Sequence, residues 1–390
     1  MLTNLDNELL DDLAKLRATS TYRELGLSRS GPAQRDIVSG TTRRLLLCGN
    51  NYLGLAADDR VICAAVEAAG GAGVGSTGSR LISGNHELLS TFESEIASFK
   101  GYEAALVFSS GYLANIGVIT ALVGVGDLII SDALNHASII DGCRLSRAEV
   151  RVYRHLSASN ARELLADRDN FRRALLVTDG VFSMDGDVAP LPELVDVARE
   201  HNCVFMVDDA HGFGVLGPTG RGTIEHFGLD PNDVPVLVGT LSKALGAIGG
   251  VVCGSSSLRQ YLINFARTHR FATACSPVTI AGALAALRIV AAEGARLSGD
   301  LRSLRQTYAA GLKKSGVDVP HCDSAIIPII LGENAEAWRA AECLSERGIW
   351  VQAIVPPTVP RGTARLRTTL SLSLSAENVE WAASQIGECI

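Results

Sequence analysis

The stretch "ALLVTDGVFSMDGDVAPLPELVDVAREHNCVFMVDDAHGFG", residues 174–214, decides the fold. It opens on an apolar run that ends in a polar turn, "ALLVTDGVFSMDGD". It passes through the helical "LPELVDVAREHN" and closes on a second apolar run, "CVFMVDDAHGFG". Two continuous Val/Ile/Leu-type runs around a helix are the repeating unit of a parallel sheet covered on both faces.

The alternation extends outward. "AALVFSS" reads as a strand and "GYLANIGVITALV" as the helix after it. "DLIISD" and "EVRVYR" read as strands, with "HASIIDGCRLS" and residues 159–168 as helices, and "VPVLVGT" and "GGVVCG" follow as further strands. The expected class is α/β: a large domain over residues 50–282 with a mostly parallel sheet, whose ligands collect beyond the carboxyl ends of its strands. After Pro277 the order changes to a long helical region, then "SAIIPIILG", "AWRAAECLSERGI", "WVQAIV", "ARLRTTLSL" and a helical tail. This predicts a smaller C-terminal α+β domain over 283–390, with the break inside the helical region because no Gly/Ser/Pro-rich linker occurs there. Residues 1–49 read as an N-terminal helical arm, with Leu5, Leu9, Leu10, Leu13 and Leu16 at helical spacing, and a short strand.

Composition narrows the classes. A net charge of −7 and a pI near 5.7 argue against nucleic-acid binding, which needs a basic face. The apolar stretches are short and broken, so no membrane span is expected. The first twenty residues are acidic, without a positive segment ahead of an apolar one, and predict a cytoplasmic chain rather than a secreted one. Nine cysteines with no CxxC pair predict reduced, mostly buried thiols and no metal site.

The chemistry falls at the strand ends. Of only five lysines, Lys243 alone sits among small residues, in "VGTLSKALGAIGG" (238–250), where poor solvation favours the neutral amine and makes it a nucleophile for carbonyls. Read alone, it is equally a loop charge. "CVFMV" ends in Asp208 and Asp209, either a capped turn or an anion facing a cationic ligand. "FSSGY" places Ser110, Gly111 and Tyr112 at a helix N-terminus, an anion site if more than a cap. His136 and Ser183 follow two other strands. Together these groups call for one ligand with an aldehyde, a phosphate and a basic ring nitrogen, and pyridoxal phosphate has all three. The glycine-rich "GVGSTGSRLISG" (73–84) has no strand before it, so a dinucleotide reading fails on context.

Several stretches carry a resemblance: "NNYLGL" (50–55), "GSTGSRLISGNHELLSTFE" (75–93), "FSSGYLAN" (108–115), "NHAS" (135–138), "GVFSMDGD" (180–187), "DDAHGFGVLGPTGRG" (208–222) and "GTLSKALG" (239–246). With them the chain resembles, over essentially its whole length, the α-oxoamine synthase family of fold type I pyridoxal-phosphate transferases. The resemblance implies that Lys243 bonds the cofactor, Asp208 meets the ring nitrogen, His211 and Ser183 meet the ring hydroxyl, and His136 stacks on the ring. It implies that Gly111, Tyr112 and Thr240 hold the phosphate. Family members are homodimers, so Ser76, Thr77 and Thr273 would reach the partner's cofactor. Asn50 and Arg367 would hold the amino-acid carboxylate, Thr358 would line the acyl pocket, and Arg23 would help bind the second substrate.

Within the family, "PPTVPRGTARLR" (356–367) is most similar to members that join alanine to a pimeloyl thioester in biotin synthesis, carried by CoA or an acyl carrier protein. Such members can carry an arginine just before "PPTVP", suited to the far carboxylate of the acyl chain. Here Val355 stands there, which leaves the acyl chain and its carrier open. Sister enzymes using glycine with an acetyl donor, or serine with a long acyl chain, share the cofactor residues.

Overall fold

The computed structural model describes residues 4–31, 34–321 and 323–390. Its strands, in chain order, are β1 (Asp36–Ser39), β2 (Thr42–Leu46), β3 (Ala104–Phe108), β4 (Leu128–Asp132), β5 (Glu149–Tyr153), β6 (Ala174–Asp179), β7 (Val204–Asp208), β8 (Val236–Thr240), β9 (Gly250–Gly254), β10 (Ile326–Gly332), β11 (Ile349–Trp350), β12 (Gln352–Ile354) and β13 (Ala364–Thr369).

The chain divides into two compact units. The larger, Asn50–Arg302 with residues 323–325, holds a seven-stranded sheet in the order β3-β9-β8-β7-β6-β4-β5. From β5 to β8 neighbours are parallel, and only β9 runs against both β8 and β3. The apolar runs are buried on both faces, as continuous rather than alternating hydrophobicity requires. Phe108, Ile129, Val177, Met206, Val238 and Val252 form one core with Ala114, Val118 and Ile119 of the helix Gly111–Leu122 and Ile139 of the helix Ala137–Ser146. Each of the Val, Ile, Phe and Met side chains contributes about 1.5–3 kcal/mol over an exposed one.

Register brings the chemistry to one edge. Asp179 lies opposite Asp208, Asp208 opposite Val238, and Gly250 opposite both Thr240 and Phe108. The carboxyl ends of β3, β6, β7 and β8 therefore emerge together.

The smaller unit comprises the chain up to Gly49 with Ser303–His321 and Ile326–Ile390. It holds two three-stranded sheets, β1-β2-β11 and β10-β13-β12. Two boundaries differ from the sequence reading. Residues up to Gly49 are not a separate arm, because β2 pairs in parallel with β11 (Leu45 with Ile349) and the Thr369 amide donates to Leu47 O at 2.8 Å. The break toward the C-terminus falls between Arg302 and Ser303 rather than after residue 282. It lies inside one uninterrupted helix, Pro277–Lys314, so no linker marks it.

That helix departs from one premise of the sequence reading, that the apolar stretches are short and broken. It is 38 residues long and, by length and composition, apolar enough to cross a membrane, but 56% of its most apolar window is buried within the protein. Ile280, Ala283, Leu287 and Val290 are core residues. The thiols also depart from expectation at one pair. The helices Asn334–Glu346 and Ala376–Cys389 bring Cys343 and Cys389 to a Cα separation of 5.9 Å, and the two are disulfide-bonded. Among the described residues, Cys48, Cys63, Cys143, Cys203, Cys253 and Cys275 remain thiols; Cys322 lies outside them.

Candidate cofactor and active site

The acidic pair at the end of β7 splits into two jobs. Asp209, 1% exposed, accepts from Lys100 Nζ at 2.9 Å and from the amide and hydroxyl of Thr223 at 3.0 and 2.8 Å. Lys100 Nζ also donates to Arg221 O at 2.5 Å. Asp209 is thus a fully partnered structural anion. Asp208 accepts from Asn115 Nδ2 at 2.6 Å and from the Ala210 amide at 3.0 Å, and it faces a cavity.

Lys243 reaches the same cavity from the loop after β8. Its Nζ lies 2.8 Å from His211 Nε2, and His211 Nδ1 lies 2.6 Å from Tyr52 Oη. The Tyr52 hydroxyl donates to Asn50 Oδ1 at 3.1 Å. Its oxygen is then the acceptor for His211 Nδ1–H, which leaves Nε2 to accept from the lysine. His136 caps the helix Ala137–Ser146 through Nδ1, which lies 2.7 Å from Ser138 Oγ. Burial holds its pKa below the ordinary imidazole value, helped by Lys243 and opposed by Asp208. Its amide donates to Asp179 Oδ2 at 2.7 Å. Burial, and then the neighbouring charge of Asp208, hold the Asp179 carboxyl well above the usual range.

The phosphate-type site stands on the third side. Ser110 Oγ accepts the Leu113 amide at 3.2 Å and caps the helix, whose first-turn amides at Gly111 and Tyr112 have no carbonyl within the helix to meet. A Cβ on Gly111 would come 3.3 Å from Thr240 Cβ, a tight contact that the bare glycine backbone avoids. The Tyr112 hydroxyl donates to Asp141, and its ring meets the His136 ring edge-on, with centroids 6.4 Å apart.

One cavity of about 270 Å³ is lined by Gly111, Tyr112, His136, Ser183, Asp208, His211, Thr240 and Lys243, all expected from the sequence. Pyridoxal phosphate fits this donor set: an amine, an anion opposite it, a helix N-terminus with a glycine cradle, and a buried acceptor, Asn115 Oδ1, with no hydrogen-bond partner. Asn115, Ser138 and Asp179 also line it and were not singled out. Asn115 was findable: it sits four residues after Gly111, one helical turn along the same face. Tyr52, in the "NNYLGL" stretch, gave no such signal.

Other expected residues lie elsewhere. Ser76 Oγ donates to Cys275 O at 2.6 Å, Thr77 has a left-handed backbone with φ of 54°, and Ser109 Oγ donates to Thr273 O at 2.7 Å. None of the three lines the cavity. Arg23, Thr358 and Arg367 belong to the smaller unit, where Arg23 donates to Thr358 Oγ1 at 3.0 Å and Arg367 is buried on β13. Val355, 1% exposed, packs in an apolar cluster with Ala337, Ala353 and Ala364. Its side chain serves the core.

The fold and the site define a pyridoxal-phosphate-dependent transferase. The family model of class I and II aminotransferases matches residues 42–386. The 8-amino-7-oxononanoate synthase of Cellvibrio japonicus is 45% identical over 388 residues, covering 100% of this chain and 97% of that protein. A serine palmitoyltransferase from S. paucimobilis, solved with a bound PLP–myriocin aldimine, superposes with a TM-score of 0.92 at 30% identity, over 100% of this chain and 98% of that one. An 8-amino-7-oxononanoate synthase structure from Francisella tularensis gives 0.76 at 30% identity, over 88% and 97%. The chain belongs to the class I and II aminotransferase family and, within it, to the 8-amino-7-oxononanoate synthases. Its cofactor is pyridoxal phosphate.

Proposed function

We propose that the protein condenses L-alanine with a pimeloyl thioester, releasing carbon dioxide and the carrier thiol, to give 8-amino-7-oxononanoate in biotin biosynthesis. The observation that carries this is the 45% identity to such a synthase along the whole chain. The fold alone leaves a second reading, because the TM-score of 0.92 to a serine palmitoyltransferase favours serine and a long acyl chain. That likeness comes with only 30% identity, so the alanine reading stands first. A panel of alanine, glycine and serine against pimeloyl, acetyl and palmitoyl thioesters tests it. Alanine with the pimeloyl donor should give the highest kcat/KM; a higher value for serine with palmitoyl-CoA overturns the reading.

When bound, pyridoxal phosphate supplies an aldehyde for the substrate amine and a ring that accepts electron density from its α-carbon. Lys243 Nζ would hold the cofactor, and its free amine would take the α-proton of alanine as general base. Its hydrogen bond to His211 supports that role by fixing where the amine rests. Asp208, steered by Asn115, holds a proton at the ring nitrogen. His211 and Ser183 bind the ring hydroxyl and His136 covers the ring. The Gly111 and Tyr112 amides and Thr240 bind the phosphate, where the helix dipole adds about 0.3–1 kcal/mol. Asn50 and Arg367 grip the substrate carboxylate, Arg367 in bidentate fashion. Arg23 and Thr358 serve the acyl donor, CoA-bound or carrier-protein-bound; their mutual hydrogen bond supports a shared role. The enzyme works as a cytoplasmic homodimer in which Ser76, Thr77 and Thr273 reach the partner's cofactor. Exposed Leu81, Ile82, Ile248 and Phe271 are consistent with such an interface.

A further inference from the structure

Three loops meet behind the cofactor cavity at a side chain that does not line it. His155 lies just past β5, and its Nδ1 sits 2.8 Å from Asp132 Oδ1 while its Nε2 sits 2.8 Å from Asp187 Oδ2. Asp132, 1% exposed at the end of β4, also accepts the Leu134 amide at 2.8 Å and the Leu156 amide at 3.0 Å. It therefore anchors the start of the loop that presents His136. Asp187 closes the turn that presents Ser183: its carbonyl accepts the Phe182 amide at 3.0 Å, and the Gly186 amide donates to Phe182 O at 2.8 Å. The His155 ring meets the buried Phe182 ring edge-on, with centroids 4.4 Å apart.

The backbone is held against preference to keep this arrangement. Leu156, next to the histidine, has φ of 58°, a left-handed conformation that a leucine rarely adopts. Such conformations cost about 1–3 kcal/mol and persist only where surrounding contacts over-determine them.

We propose that His155 is a positioning residue for the cofactor site: bridging Asp132 and Asp187, it ties the loop that presents His136 to the turn that presents Ser183. The His136 side has a second tether, since Asn135 Nδ2 donates to Val177 O at 3.0 Å and Asn135 Oδ1 accepts the Asp179 amide at 2.8 Å. Burial alone would lower the imidazole pKa, but hydrogen bonds and charge from Asp132 and Asp187, the charged groups acting on it, raise it to about 9. The clamp is thus complete at neutral pH and loosens as pH rises through about 9. The inference rests on the cavity being the pyridoxal-phosphate site and is independent of which acyl chain is used.

The test measures the dissociation constant of pyridoxal phosphate at 20 °C by absorbance titration from pH 7 to 10, with thermal melts of the cofactor-free protein alongside. His155→Leu removes both bonds, and Asp187→Asn, at a partly exposed residue, weakens only the turn side. At pH 7.5 both variants should bind about tenfold more weakly, equal to ~1.4 kcal/mol. The gap to the wild type should close above pH 9 because the wild type loses its clamp there. Variants that melt lower but bind with the wild-type constant and pH profile overturn the proposal, since that is all a merely structural role would do. A wild type that takes up no pyridoxal phosphate overturns the cofactor reading beneath it, an outcome distinct from equal binding by wild type and variants.

Discussion

Adjacent aspartates at the end of β7 should fail in opposite ways when neutralised. Asp209→Asn leaves Lys100, 9% exposed, with a carbonyl but no anion, and presents an amide to its ammonium. Breaking one side of a buried pair costs about 3–5 kcal/mol, because the remaining charge stays desolvated. Asp208→Asn removes a charge that faces Asp179 across the sheet register and a cavity in front. Relief of that like-charge contact offsets the weakened bond from Asn115, so the cofactor-free protein should keep its stability within about 1 kcal/mol. Cofactor chemistry should respond in reverse: Asp208→Asn loses most turnover, while refolded Asp209→Asn keeps a measurable share. Urea unfolding of both cofactor-free variants, followed by turnover assays in low urea, reads the two effects separately. Equal destabilisation by both substitutions, or a loss below 1 kcal/mol for Asp209→Asn, would refute the division of labour between them.

Other expectations are as specific. Lys243→Ala should abolish the visible band of lysine-bound cofactor and all turnover; a surviving band would remove Lys243 from its role. Gly250→Ala places a Cβ against the Ser110 carbonyl and 2.7 Å from the Gly111 nitrogen. Overpacking of this kind costs about 1–3 kcal/mol and should weaken cofactor binding with it, as a titration would show. Both ring nitrogens of buried His269 lack hydrogen-bond partners, and burial, with Arg80 adding to it, pushes its pKa down to about 4. The folded pKa lies below the unfolded value, so its neutral form supports the fold fully above about pH 6.5, and that support is lost as pH falls toward 4. His269→Leu should flatten the loss of unfolding free energy between those pH values by up to about 3 kcal/mol; an unchanged acid profile would contradict this.

Much of the site could be read from the chain because strand ends in a parallel sheet share one edge. Once "CVFMVDD", "FSSGY" and "VGTLSK" are strands followed by polar residues, topology brings Asp208, Gly111 and Lys243 together without any knowledge of side-chain packing. What escaped depends on contacts far apart in sequence. Nothing local says that Lys100 will claim Asp209, or that Val355 will turn into an apolar cluster rather than toward a substrate. Cys343 and Cys389 are 46 residues apart and become neighbours only once their helices pack. The break between units hides inside a continuous helix, and the β2–β11 pairing joins segments from opposite ends of the chain.

The most direct test of the account is carbon bookkeeping in the product. With pimeloyl-CoA and alanine labelled at C1, the purified enzyme should release all the label as carbon dioxide and form unlabelled 8-amino-7-oxononanoate. With alanine labelled at C2, the product should carry one label per molecule. Retention of the C1 label, or absence of that product while serine and palmitoyl-CoA turn over, would contradict it.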